Sequence, residues 1–168
     1  MGCEMTSAGR PVLHGLHVVL VDDAAGTRRL LSEVLKAFGV SEIDAAGDAY
    51  AALELISAKH PDLVLCDWHM PAMDGIAFLR TLRRKEFGQA GTVPVIMLTA
   101  HSQPELVQAA MDAGANHFVT KPIVPADLLS RIVWVLEDTR SFVLSGDRYV
   151  LAQRDGARPP HRPVWLVE

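Results

Sequence analysis

Between residues 17 and 138, short β-branched runs alternate with longer segments of helical period, and this alternation constrains the fold more than any other property of the chain. Strands are predicted near 17–22, 42–45, 62–66, 93–98 and 116–119. Between them, Leu30, Leu31, Val34, Leu35 and Phe38 recur at a spacing of three or four. So do Ala49, Ala52, Leu53 and Ile56, and later Leu128, Leu129, Ile132, Val133 and Leu136; each set is one apolar helix face. Gly39, Gly75 and Gly114 punctuate the joins, and Pro61, Pro94 and Pro125 stand at element starts, where a missing N–H matters little. Five βα units at this spacing predict an α/β fold, a doubly wound sheet with helices on both faces. The runs 18–21 and 63–66 are continuously apolar, as strands covered on both sides should be.

Four of these runs end in residues that carry chemistry. Asp22-Asp23 follow the first, Asp67 the third, Thr99 the fourth and Lys121-Pro122 the fifth. Ligands of parallel α/β sheets sit at the carboxyl ends of the strands, so three carboxylates, a hydroxyl and an ammonium are expected to converge there. Asp67 is the candidate nucleophile. A carboxylate accepts a phosphoryl group when a metal neutralises the incoming charge. Three clustered carboxylates repel one another without a cation, and Mg²⁺, a hard ion that prefers oxygen ligands, resolves the conflict. Lys121 would set a point charge on a phosphoryl oxygen, Thr99 would donate its hydroxyl, and backbone N–H groups just after Asp67 and Thr99 (Ala100 among them) would complete the cradle. Asp23 is also expected to cap the helix that starts near Ala25. Trp68 reads as a partly exposed loop residue that would report metal binding by fluorescence.

The remaining classes are mostly excluded. A formal charge of −4 argues against a surface spread over nucleic acid. No apolar run approaches the ~20 residues that cross a bilayer, and no hydrophobic segment near the start resembles a secretory signal. Cys3 and Cys66 are the two cysteines, one near the start and one inside an apolar run, so a disulfide framework is not expected and a cytoplasmic location is. The seven histidines show no HxH or HxxxH spacing for zinc; His14, His17, His60, His117 and His161 read as surface or strand-edge residues. Cys66 reads as a small buried apolar residue. Met1-Gly2-Cys3-Glu4-Met5-Thr6 matches an acylation pattern, but residues 1–14 are read as a flexible leader.

The chain closely resembles the receiver domain of two-component response regulators, the chemotaxis regulator type included. The resemblance rests on Val21-Asp22-Asp23, on the run Asp67-Trp68-His69-Met70-Pro71-Ala72-Met73-Asp74-Gly75, on Leu98-Thr99-Ala100 and on Phe118-Val119-Thr120-Lys121-Pro122. It implies a flavodoxin-like (βα)5 three-layer sandwich over residues 15–138, with parallel strand order 2-1-3-4-5. It further implies that Asp67 is the phosphoacceptor for a sensor histidine kinase or phosphotransfer protein. Asp22, Asp23, Asp67 and the backbone carbonyl of His69 would hold Mg²⁺. Thr99 and Phe118 resemble the family's switch pair, which alters the face made by the fourth helix, fifth strand and fifth helix and so addresses a downstream protein target. Lys121-Pro122 resembles its cis peptide. His69 and His101, two residues beyond Asp67 and Thr99, stand where the family tunes phosphate lifetime.

Residues 139–168 lie outside the resemblance. Two apolar runs flank Ser145-Gly146-Asp147 and read as a hairpin or a dimerisation arm, with a proline-rich piece and Val164-Trp165-Leu166-Val167 beyond. Arg140, Arg148, Arg154, Arg158 and Arg162 are expected to face solvent. The expected function is a stand-alone receiver that catalyses only its own phosphorylation and dephosphorylation, with neither nucleic acid nor membrane as partner. The alternative is an adaptor with a receiver fold, dimeric through residues 139–168 and weakly regulated by phosphorylation. A phosphatase of the haloacid dehalogenase type is disfavoured, because its first strand needs Asp-x-Asp where this chain has Asp-Asp-Ala.

Overall fold

The computed structural model describes residues 4, 5 and 11–153. Five strands, β1 (His17–Val21), β2 (Glu42–Ala46), β3 (Leu63–Asp67), β4 (Val95–Thr99) and β5 (His117–Thr120), form one parallel sheet in the order β2-β1-β3-β4-β5. This is the flavodoxin-like order, with the chain reversing direction between β1 and β3. The helices are α1 (Ala25–Ala37), α2 (Ala49–Lys59), α3 (Gly75–Leu82), α4 (Pro104–Asp112) and α5 (Pro125–Glu137), and a 3-10 segment, Lys85–Thr92, joins α3 to β4.

Side chains alternate across the sheet, and each set meets one helical layer. Val19, Val21, Val64, Cys66, Val95 and Met97 pack with α2, α3 and α4. Val18, Leu20, Leu63, Leu65, Ile96 and Leu98 pack with α1 and α5. Every residue of β3 and β4 is buried, which is why those runs are uninterruptedly apolar, whereas β2 is an edge strand with a polar sequence. Leu30 departs from the expected α1 face. It is 65% exposed, because Leu31 and Leu35, flanked by partly buried Val34 and Phe38, complete the inner stripe.

At the amino end of the sheet, His17 pairs with Asp44, which also holds Lys59, with Glu42 nearby. Those ion pairs account for the grouping of His17, Glu42 and Asp44. His117 opens the edge strand β5, as a surface or strand-edge residue would, but it is partly buried. Its ring stands edge-on to Trp134 at 5.0 Å, and burial beside Arg131 pulls its pKa from 6.5 to about 4.

Glu4–Met5 pairs antiparallel with Pro11–Val12, and Leu13 and Leu16 are buried. Residues 1–3 and 6–10, with most of the acylation pattern, and residues 154–168, with the proline-rich piece, lie outside the described residues. After α5 the chain makes a hairpin of β6 (Phe142–Ser145) and β7 (Arg148–Leu151), turning at Gly146, whose φ of +65° suits glycine. The hairpin returns to its own domain: Tyr149 donates its N–H to the Arg83 carbonyl, and Lys85 donates to that of Asp147. Arg140 is not freely solvated as expected, since it forks onto Asp138 and lies over Trp134. No helix among the described residues is long and apolar enough to cross a membrane.

Candidate functional site

Strand register brings the polar strand ends together. Val21 pairs with Cys66, so Asp22 and Asp67 follow side by side; Asp67 pairs with Leu98, and Thr99 pairs with Thr120, directly before Lys121. Three backbone bonds extend the ladder by one step: Asp22 donates to Ala46, Trp68 to Leu98 and Lys121 to Thr99. The peptide between Lys121 and Pro122 is cis.

The Lys121 ammonium donates to Asp67 Oδ1 at 2.8 Å and stands 3.6 Å from Asp22 Oδ2. Carboxylate oxygens of Asp22, Asp23 and Asp67 lie within 4.8 Å of one another. Asp22 and Asp67 are buried and Asp23 is exposed, so the group opens to solvent on one side. Burial raises the Asp22 pKa, opposed by its bond from the Ala24 N–H and reinforced by the charge on Asp67. Burial, the largest single influence, would lower the Lys121 pKa, but the bond to Asp67 together with the charges of Asp67 and Asp22 outweighs it and the net shift is upward.

One lysine against three carboxylates leaves an uncompensated negative charge. Asp22 Oδ2 is buried and has no hydrogen-bond partner within the described residues. An orphaned buried carboxylate oxygen aimed among other carboxylates fits a hard divalent cation with oxygen ligands. Asp23 does not cap α1 as expected. The N-cap is Ala24, without a side-chain bond, and Asp22 Oδ1 takes the Ala24 N–H instead.

The loop after β3 is built to carry Asp67. Asp74 caps α3 by accepting from the Ala77 N–H, and Gly75 donates to the Trp68 carbonyl. A Cβ on Gly75 would lie 2.4 Å from Met97 Cε and 2.8 Å from the Asp67 carbonyl, so only glycine lets α3 start this close to Asp67. Trp68 is 8% exposed rather than a partly exposed loop residue, since its indole joins the α2–α3–α4 core. Cys66 is buried beneath, and burial pushes its thiol pKa up, consistent with a packing residue.

Thr99 is buried at the end of β4; its Oγ1 accepts from the His101 N–H at 3.0 Å. Ala100 is exposed immediately after it. The rings of His69 and His101 meet edge-to-face at 5.3 Å. Phe118, in β5, is 7% exposed within the α2–α3–α4 core. Two positions escaped the sequence reading. Arg28 donates to the Asp22 carbonyl at 2.6 Å and braces the acidic strand end, one turn into a helix where arginine gives no signal. Arg83 is wholly buried.

The model of the family described as "Response regulator receiver domain" matches residues 18–133. Chemotaxis protein CheY-3 of Vibrio cholerae is 31% identical over 122 residues, 73% of this chain and 92% of that protein. The phosphate regulon transcriptional regulatory protein PhoB of Pseudomonas aeruginosa is 33% identical over 74% of this chain and 53% of its own length. Among solved structures, Vibrio cholerae CheY4 is similar with a TM-score of 0.66 and 30% identity, over 71% of this chain and 98% of that one. The CheX–CheY complex of Borrelia burgdorferi with BeF3 and Mg²⁺ gives 0.66 and 31%, over 78% and 93%.

Proposed function

The chain belongs to the response regulator receiver domain family, and on that footing we propose that Asp67 is its phosphoacceptor, charged by a sensor histidine kinase or phosphotransfer protein. The observation that carries this reading is the Lys121 ammonium, 2.8 Å from Asp67 and 3.6 Å from a buried Asp22 oxygen that lacks a hydrogen-bond partner. An Asp67 oxygen attacks the phosphorus of a phosphohistidine, the P–N bond breaks and the imidazole departs. Little covalent chemistry falls to the protein, so positioning and charge stabilisation dominate.

Asp22, Asp23, Asp67 and the His69 carbonyl would hold Mg²⁺. When bound, the ion neutralises charge that builds up on the phosphoryl oxygens. Lys121 steadies one phosphoryl oxygen, and the Ala100 N–H and the Thr99 hydroxyl take others. Drawing Thr99 from its bond with His101 frees space that Phe118 takes up, which alters the surface of α4, β5 and α5 for a downstream protein. His69 and His101, paired at the rim, govern water access and hence phosphate lifetime. Residues 15–138 form the unit that does this, in the cytoplasm, with 139–168 as its extension. Receiver domains are signalling modules, and this one turns over no substrate beyond its own acyl phosphate.

Incubation with Mg²⁺ and a small phosphodonor is expected to add one acid-labile phosphoryl group, and Asp67→Asn to abolish it. Equal and stable phosphorylation of that variant would refute the assignment.

A further inference from the structure

Arg83 is 1% exposed and faces no carboxylate among the described residues. All five of its N–H donors are nevertheless engaged. Nε and Nη2 donate to the Gly114 carbonyl at 3.0 and 2.8 Å, Nη1 to the carbonyls of Gly91 and Val93 at 2.8 and 2.7 Å, and Nη2 also to Asn116 Oδ1 at 3.2 Å. The Phe142 ring of the hairpin covers the guanidinium, 4.1 Å from its central carbon. Around this lid, Tyr149 N–H donates to the Arg83 carbonyl, Arg84 bridges Arg148, and Tyr149 closes over Gly91, where a Cβ would meet it at 3.1 Å.

One side chain thus joins the hairpin, the end of α3, the segment leading into β4 and the α4–β5 junction. Two covalently short routes run from it to the proposed switch. Helix α3 leads back to Gly75, which abuts the Asp67 carbonyl. Asn116, which also accepts from the Val95 N–H at 3.0 Å, stands two residues before Phe118. A buried fork with every donor bonded tolerates little movement, so the junction keeps its geometry while Phe142 keeps water from it.

We propose that the C-terminal hairpin is a cis-acting clamp: seated on Arg83, it holds the α4–β5 junction in the arrangement seen here, with Thr99 bonded to His101, and so opposes the β5 rearrangement that phosphorylation of Asp67 sets off. This rests on Asp67 being the phosphoacceptor. Hairpin docking and phosphoryl binding then oppose each other through one coupling free energy, reciprocally.

The bridge pair gives a reversible lock. Bridged residues have Cα atoms close enough for a disulfide, so Arg84→Cys with Arg148→Cys, in a full chain also carrying Cys3→Ser, should crosslink on oxidation. The measurement is calorimetric titration with beryllofluoride in Mg²⁺, on oxidised and reduced protein. Oxidised protein is expected to bind about five-fold or more weakly than reduced protein, and Phe142→Ala to bind more tightly than wild type. Equal affinities in the two redox states overturn the clamp while leaving the phosphoacceptor intact. A pair that fails to crosslink overturns the docking itself. Wild type that does not bind beryllofluoride overturns the phosphoacceptor reading, and the clamp with it.

Discussion

Replacing Arg83 by methionine tests whether a buried cation without a carboxylate holds the amino-terminal end of the sheet. The variant removes the donors to the Gly91, Val93 and Gly114 carbonyls, while Asn116 Oδ1 keeps the Val95 N–H. Each stranded carbonyl costs about 2 kcal/mol, so the three together cost about 6. Loss of the Phe142 contact adds about 1 kcal/mol. Against this stands the burial cost of the guanidinium, which methionine relieves. Burial lowers the Arg83 pKa from the ordinary guanidinium range to about 9, equivalent to roughly 5 kcal/mol. The carbonyls win by about 2 kcal/mol, a fall in Tm of about 4–8 °C for a chain of this size.

Arg83→Lys separates the terms. It keeps a charge to bury but offers at most three donors in place of a planar fork, so it should be less stable than the methionine variant. Urea unfolding at pH 7 reads the order. The reasoning fails if methionine equals or exceeds wild type, or if lysine is the better replacement.

Two further outcomes follow from charge and burial. Asp22→Asn should raise the Tm of metal-free protein, because burial and the Asp67 charge raise the Asp22 pKa, a penalty present above that pKa and relieved as pH falls through it. The same variant should lose the Tm increment that Mg²⁺ gives wild type; an unchanged increment would remove Asp22 from the metal site. For His117, the unfolded imidazole gains its proton below 6.5 but the folded one only near 4, so stability is lost as pH falls between those values, by up to about 3 kcal/mol. His117→Gln should flatten that limb in urea unfolding at pH 7 and 4.5, and parallel curves would count against it.

The candidate site was legible because a parallel sheet converts sequence position into spatial position. Once β1, β3, β4 and β5 were placed, Asp22, Asp67, Thr99 and Lys121 had one edge to share, and the register bears this out. Strand ends shifted by one or two residues without consequence, since the polar residue marks the end better than the apolar run does. Trp68 was misread because loop position says nothing about which way an indole turns. Arg83 was missed for a more instructive reason. It lies four residues beyond buried Leu79, on the inward face of α3, but in Arg83-Arg84-Lys85 it reads as a solvated helix end. Periodicity carried the signal and residue type concealed it. The 3-10 segment at Lys85–Thr92 gave no periodic pattern at all.

The two ends of this sheet differ in chemistry for one reason. In a βα unit the helix runs back against its strand, so helix amino ends gather with the strand carboxyl ends, and helix carboxyl ends gather at the other edge. The first edge carries partial positive charge from free N–H groups and suits anions; the second carries partial negative charge from free carbonyls and suits a cation. The acidic group with Lys121 sits at the first edge, which it shares with the amino ends of α3 and α4. Arg83 sits at the second. It is itself the C-cap of α3, and it bonds the carbonyl of Gly114, directly after the C-cap of α4. The missing carboxylate is therefore replaced by the ends of two helices and the loops beyond them. A hairpin that supplies only an aromatic ring and backbone bonds suffices to close over such a cation, because the countercharge is already built into the fold.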